Sequence, residues 1–272
     1  MTVIEVQDAT CGYGGGPVIR GLSLEVAQGE FLGILGPNGS GKTTLLRAIT
    51  GIVPLEAGRI RLSGADVAAL DPRAIARQVA CVMQDGATSI GAANLAFSVR
   101  EIVTLGRTPY LARTGWETRR DREAVEQAME LAEVADLADR PVTELSGGER
   151  QRAFIALALA QECDIILLDE PTNHLDIAHQ IAVLELFAGL THRHGKTSVG
   201  VFHDLNLAAD YCDRILLLKA GRSAAVGPPG EVLTAGTVRD IYGAAVLVEP
   251  NPATGRPHVF LSRPPERGAE TV

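Results

Sequence analysis

The sequence predicts an α/β protein. It would have a mostly parallel sheet, an antiparallel β unit at its start and a helical segment inserted in its middle. Three observations carry this. Short apolar runs bounded by turns recur at 31–35 (FLGIL), 165–168 (IILL), 197–202 (TSVGVF) and 215–218 (ILLL), as buried parallel strands do. Helical stretches separate these runs, and that alternation implies a parallel sheet. The first 30 residues instead alternate short β-type runs with turns.

In chain order, residues 3–6 and 22–26 read as strands on either side of a glycine-rich loop at 12–16. The run 31–35 lies between Gly29 and Gly36. Residues 43–50 read as a helix closed by Gly51. Residues 57–70 suggest a second small strand pair, and 72–163 read as mostly helical. Within that stretch, 121–135 (DREAVEQAMELAEVA) has helical apolar spacing and an acidic start suited to a helix N-terminus. After Gly243 the prolines at 250, 252, 257, 264 and 265 predict a turn-rich tail that frays at its end.

The chain has 272 residues, 46% of them hydrophobic and 21% charged. That is an ordinary folded protein with a sizeable core, and it argues against disorder. The net charge is −8 and aromatics are 4%, which argues against general binding to nucleic acid. Cys11, Cys81, Cys163 and Cys212 form no CxxC pair and no zinc spacing with His, so they read as free thiols in a reducing compartment. No apolar run reaches the ~18 residues that span a bilayer. The opening MTVIEVQDAT lacks the pattern of a signal peptide. Any membrane role is therefore expected to come through a partner.

Three motifs carry chemistry. Gly36-Pro37-Asn38-Gly39-Ser40-Gly41-Lys42-Thr43, followed by Thr44, fits G-x-x-x-x-G-K-[ST] between a buried strand and a helix. Its glycines let backbone N–H groups wrap phosphates, helped by the helix N-terminus. Lys42 is expected to neutralise the terminal phosphates and Thr43 to ligate Mg²⁺. The run 165–168 then ends in Asp169-Glu170. Asp169 is placed to hold Mg²⁺, and Glu170 to act as general base for water. Third, Ser146 with Glu149 three residues on is a capping box, so a helix starts there. Gly147 and Gly148 would let a phosphate reach bare amides at that end. One P-loop and two such helix ends suggest that the second end serves the nucleotide of another subunit.

The chain resembles the ATP-binding-cassette (ABC) ATPases over about residues 1 to 245. Residues 145–149 (LSGGE) resemble the family signature, Gln84 the Q-loop glutamine, 173–176 (NHLD) the D-loop with Asp176, and His203 the switch histidine. Tyr13 sits where the family has an aromatic that stacks on adenine. The resemblance implies a P-loop NTPase core with an N-terminal antiparallel β subdomain, a helical subdomain inserted at about 86–162, and a C-terminal extension, 246–272. It implies two ATP molecules held in a homodimer of cassettes. Lys42, Thr43, Gln84, Asp169, Glu170 and His203 of one chain would meet Ser146, Gly147 and Gly148 of the other. Gln84 would contact Mg²⁺ and the attacking water, and His203 the γ-phosphate. The remaining histidines, 174, 179, 192, 194 and 258, read as surface or loop residues.

One cassette without a membrane span resembles importer subunits, which work on a separate integral membrane permease at the cytoplasmic face. A substrate-binding protein then takes part indirectly. Stretches 97–110, 176–180, 203–208 and 227–233 are similar to cassettes of iron-siderophore, haem and cobalamin importers. An export cassette with a separate permease, or a soluble ABC ATPase of repair or translation, are the competing readings. Residues 85–96 (DGATSIGAANLA) are Gly/Ala-rich where cassettes meet the permease, so the type of partner stays open.

Overall fold

The computed structural model describes residues 1–82, 97–111, 117–173 and 175–261. Two sheets and a hairpin organise them. The first sheet is antiparallel, in the order β2 (Pro17–Ala27), β1 (Thr2–Gly12), β4 (Leu55–Leu62), β5 (Ala65–Asp66). The first two strands are longer than the apolar runs that predict them. The second sheet runs β10 (Arg222–Gly227), β9 (Arg214–Lys219), β3 (Phe31–Leu35), β8 (Thr197–Val201), β7 (Ile165–Asp169), β6 (Val79–Val82). It is parallel except for β10. Every residue of β3, β7 and β8 is buried, as expected for central strands covered on both faces.

Helix α1 (Lys42–Ile49) follows β3 and packs its leucines into the core between the two sheets, with Ile4, Ile19, Ile34 and Val199. Helix α2 (Pro72–Ala76) precedes β6 and packs Ile75 into the same core as α1, while on the other face α3 (Val99–Thr104), α4 (Arg119–Leu131) and α5 (Gly147–Ala160) form a helical group before β7. Then come α6 (Ile177–His194), α7 (Leu205–Tyr211), α8 (Pro229–Val232) and α9 (Ala235–Tyr242). Helix starts follow the capping rule: Ser98, Thr118 and Ser146 each close a box with the acid three residues on.

Two expectations need correction. The mostly helical stretch contains the strand β6, because a four-residue apolar run looks alike in a strand and a buried helix. The turn-rich tail instead forms a hairpin, β11 (Val246–Pro250) with β12 (Pro257–Leu261). Its prolines sit at strand ends, where no ladder hydrogen bond is lost. The hairpin is tied to α7. Asn206 exchanges two hydrogen bonds with the Val259 backbone, and Arg256 donates to the carbonyls of Ala209 and Cys212.

Inside the helical group lies a buried ionic centre. Arg107, 2% exposed, donates to Asp121 at 2.9 Å, to the Ala160 carbonyl at 2.7 Å and to Glu162 at 2.8 Å, and lies over the Tyr110 ring. From sequence, 106–109 (GRTP) reads only as a helix stop.

Candidate functional site

Sheet order brings the site together. Strands β3, β8 and β7 are neighbours with matched register, Ile34 beside Val201 and Val201 beside Asp169. The loops leaving their C-terminal ends therefore converge, as ligand sites do in parallel sheets. β3 leads into the glycine-rich loop, β7 ends in Asp169 and Glu170, and β8 leads to His203.

In the loop, Gly36 and Gly41 have φ of 152° and 105°, and each is crowded. A Cβ at Gly36 would lie 2.2 Å from the Leu218 carbonyl oxygen, and at Gly41 2.7 Å from Ile19 Cδ1. Neither position tolerates a side chain. Pro37, Asn38 and Gly39 form the open rim, while Ser40, Lys42 and Thr44 are buried. Lys42 Nζ folds back onto the Gly36 and Pro37 carbonyls at 2.8 and 3.3 Å. Burial lowers its pKa from the ordinary lysine value, and the carboxylates of Glu170 and Asp169 counter part of that fall. Helix α1 has no side-chain cap at its N-terminus, so its first N–H groups face the loop without a competing side-chain acceptor.

Thr43 Oγ1 donates to Asp169 Oδ1 at 3.1 Å. Glu170 leaves the strand with φ of 55°. His203 Nε2 lies 2.5 Å from its Oε1, and Asn173 Nδ2 donates to its Oε2. Both carboxylate oxygens are thus engaged. Asn173 is a partner that sequence reasoning missed, although an amide three residues beyond an acid in a turn is a recognisable pairing. Tyr13 is exposed in the β1–β2 loop, and Arg47 of α1 donates to its hydroxyl at 3.3 Å. Gln84 lies outside the described residues. It follows β6, which lies beside β7.

Ser146, Gly147, Gly148 and Glu149 start α5. The Glu149 carboxylate accepts from the Ser146 N–H at 2.8 Å, and Ser146 Oγ accepts from the Glu149 N–H at 3.3 Å. Hydrogen bonds from the Ser146 hydroxyl and then its backbone N–H hold the Glu149 carboxyl below its usual range. A Cβ at Gly147 would meet nothing within 4 Å, and one at Gly148 only ordinary contact with His179. Packing within the chain therefore requires glycine at neither position. Asp176 caps α6 by accepting from the His179 N–H at 2.9 Å.

The family model for ABC transporters matches residues 19–173. This chain belongs to the ABC transporter family. It is 42% identical over 238 residues to the cobalamin import ATP-binding protein BtuD of Halobacterium salinarum, covering 88% of this chain and 58% of that protein. The chain thus spans little more than half the length of that relative. It is 40% identical to the ferric enterobactin transport ATP-binding protein FepC of Escherichia coli K12, over 93% of this chain and 92% of FepC. Among solved structures, a transporter described as of metal-chelate type, in an inward-facing conformation, superposes with a TM-score of 0.82. It is 27% identical, with 96% of this chain and 98% of that one covered. A dimeric post-hydrolysis state of the ATP-binding cassette MJ0796, bound to ADP and phosphate, gives a TM-score of 0.71 at 27% identity. That match covers 83% of this chain and 98% of the other.

Proposed function

We propose that the chain is the ATP-hydrolysing subunit of an importer for a metal chelate such as an iron-siderophore, haem or cobalamin. Two copies would work at the cytoplasmic face of the membrane on a separate permease, supplied by a substrate-binding protein. Among the described residues no helix is long and apolar enough to cross a membrane. One observation carries the reading. The P-loop, Asp169, Glu170 and His203 converge on one edge, while the glycines at 147 and 148 answer no packing need in their own chain. The named functions of the relatives support the substrate class.

The residues suit ATP and Mg²⁺. Ser40 Oγ is buried without a hydrogen-bond partner among the described residues, inside the glycine-rich loop. The Thr43 hydroxyl and Asp169 carboxylate are hard oxygen donors of the kind Mg²⁺ takes, and with Gln84 they would hold it. Bound there, Mg²⁺ supplies neutralisation of phosphate charge. Lys42 exchanges its carbonyl contacts for β- and γ-phosphate oxygens. Tyr13 offers a flat face to adenine. Glu170 takes a proton from water as the water oxygen bonds to the γ-phosphorus and the bond to ADP breaks, giving ADP and phosphate. His203 holds a γ-phosphate oxygen, so it must leave the Glu170 carboxylate first. Ser146, Gly147 and Gly148 of the second copy close over the same phosphate, with Glu149 keeping that helix end capped.

The test is to tag the full chain, solubilise native membranes gently and identify what co-purifies. A polytopic permease is the expected partner. Recovery from the soluble fraction without a membrane protein would overturn the importer reading and leave the nucleotide site standing.

A further inference from the structure

His179 reads from sequence as a surface residue without a role, and the structure gives it one hydrogen-bond partner and sets its ring near Gly148. Its Nδ1 lies 2.7 Å from Asp176 Oδ1, the oxygen that also accepts the His179 backbone N–H. One carboxylate oxygen therefore holds both ends of the same residue, which fixes the aspartate against the first turn of α6. The far edge of the ring faces α5. Cδ2 and Nε2 lie 3.5 and 3.6 Å from the point where a Cβ on Gly148 would sit.

The imidazole thus stands between Asp176 and the second glycine of the α5 N-terminus. It is no core residue, because 43% of its side chain remains exposed. The surface beside it is unusually apolar for solvent. Ile177 is 76% exposed and Ile181 44%, one helical turn apart on α6. Two glutamines tie the same region to the catalytic edge. Gln151 of α5 donates to the Pro171 carbonyl and Gln180 of α6 to the Thr172 carbonyl. Both carbonyls belong to the segment that carries Asn173 back to Glu170.

We propose that His179 is a positioning residue that joins Asp176 to Gly148, so that both are held ready for a second copy of this chain. The inference rests on the two-copy reading above. A face fixed before association pays less ordering cost when it docks. Without the ring, Asp176 keeps its cap to the backbone, and Gly148 loses the imidazole that stands beside it.

The experiment uses the full chain with Glu170→Gln, so that ATP is bound and not consumed. ATP-driven dimerisation is followed by sedimentation. Binding of a fluorescent ATP analogue to dilute monomer is measured in parallel. His179→Ala should weaken dimerisation about tenfold, with monomer binding and thermal midpoint unchanged. His179→Asn, whose amide can donate to Asp176 from the same position, should recover most of the loss. Equal dimerisation of His179→Ala and its parent would overturn the proposal. So would a loss of monomer nucleotide binding or of thermal stability, which marks a merely structural role. A parent that never dimerises with ATP overturns the two-copy reading itself.

Discussion

The two glycine-bearing helix N-termini of this chain are built in opposite ways. At α1 the glycines are forced: positive φ, with carbonyl and side-chain atoms pressed against the absent Cβ. That end has no side-chain cap, and its lysine is buried. At α5 the glycines are free, the end is exposed, and a box of Ser146 with Glu149 pairs those two residues' own N–H groups. Glycine is a poorer helix former than alanine, and packing inside the chain requires it at neither position of the α5 end. The first end is complete within one chain. On the two-copy reading proposed above, the second is half of a site finished by another copy.

The largest effects are expected at the complete end. Glu170→Gln should lower phosphate release by about 10²-fold or more, as loss of a general base does, while still binding a fluorescent ATP analogue. Lys42→Ala should lose both. Near-normal hydrolysis in Glu170→Gln would remove Glu170 from the role of base.

Next comes the ionic centre at the opposite, C-terminal end of α5. Arg107 joins the last turn of α5 to Asp121 of α4. Arg107→Met leaves Asp121 buried without its guanidinium, and should cost about 3–5 kcal/mol in denaturant unfolding. Burial pushes the Asp121 carboxyl up, but hydrogen bonds from Thr118 and Arg107 outweigh it and hold the carboxyl below its usual range. Its folded pKa is depressed. Its contribution is therefore full above about pH 4, the unfolded carboxyl value, and lost as pH falls through the folded one. Asp121→Asn should flatten that acid dependence.

Glycine exchange tests the contrast itself. Gly41→Ala should lower stability by about 1–3 kcal/mol, from positive φ and the Ile19 contact. Gly147→Ala should hold or raise the thermal midpoint and yet reduce turnover. Equal behaviour of the two variants would dissolve the distinction. The smallest effect is expected at the hairpin. Arg256→Ala removes two hydrogen bonds to α7, the helix that follows His203. It should cost about 1–2 kcal/mol and alter turnover little.

The geometry of the candidate site was legible in the sequence because its parts are local: a loop that needs glycine, a strand that ends in two acids, a cap with its partner three residues on. The structure departs from the reading where pairing is distant or ambiguous. β6 hides in a helical stretch because four apolar residues carry no period. Arg107 reads as punctuation because its partners, Asp121, Ala160 and Glu162, lie far along the chain. The hairpin at 246–261 hides behind prolines that mark its strand ends. His179 reads as bland because only the fold sets Gly148 beside it. Gln84 follows from family resemblance alone and lies outside the described residues.

The central claim is that each nucleotide site takes its α1 end from one copy and its α5 end from another. The direct measurement is to mix full-length Lys42→Ala with full-length Gly148→Asp and follow phosphate release. Each variant alone spoils both sites of its own dimer. A mixed dimer keeps one site intact: the P-loop of the second variant with the signature of the first. Activity should therefore reappear on mixing, in proportion to the mixed dimer formed. A mixture no more active than the two chains apart would mean that the sites are not shared between copies.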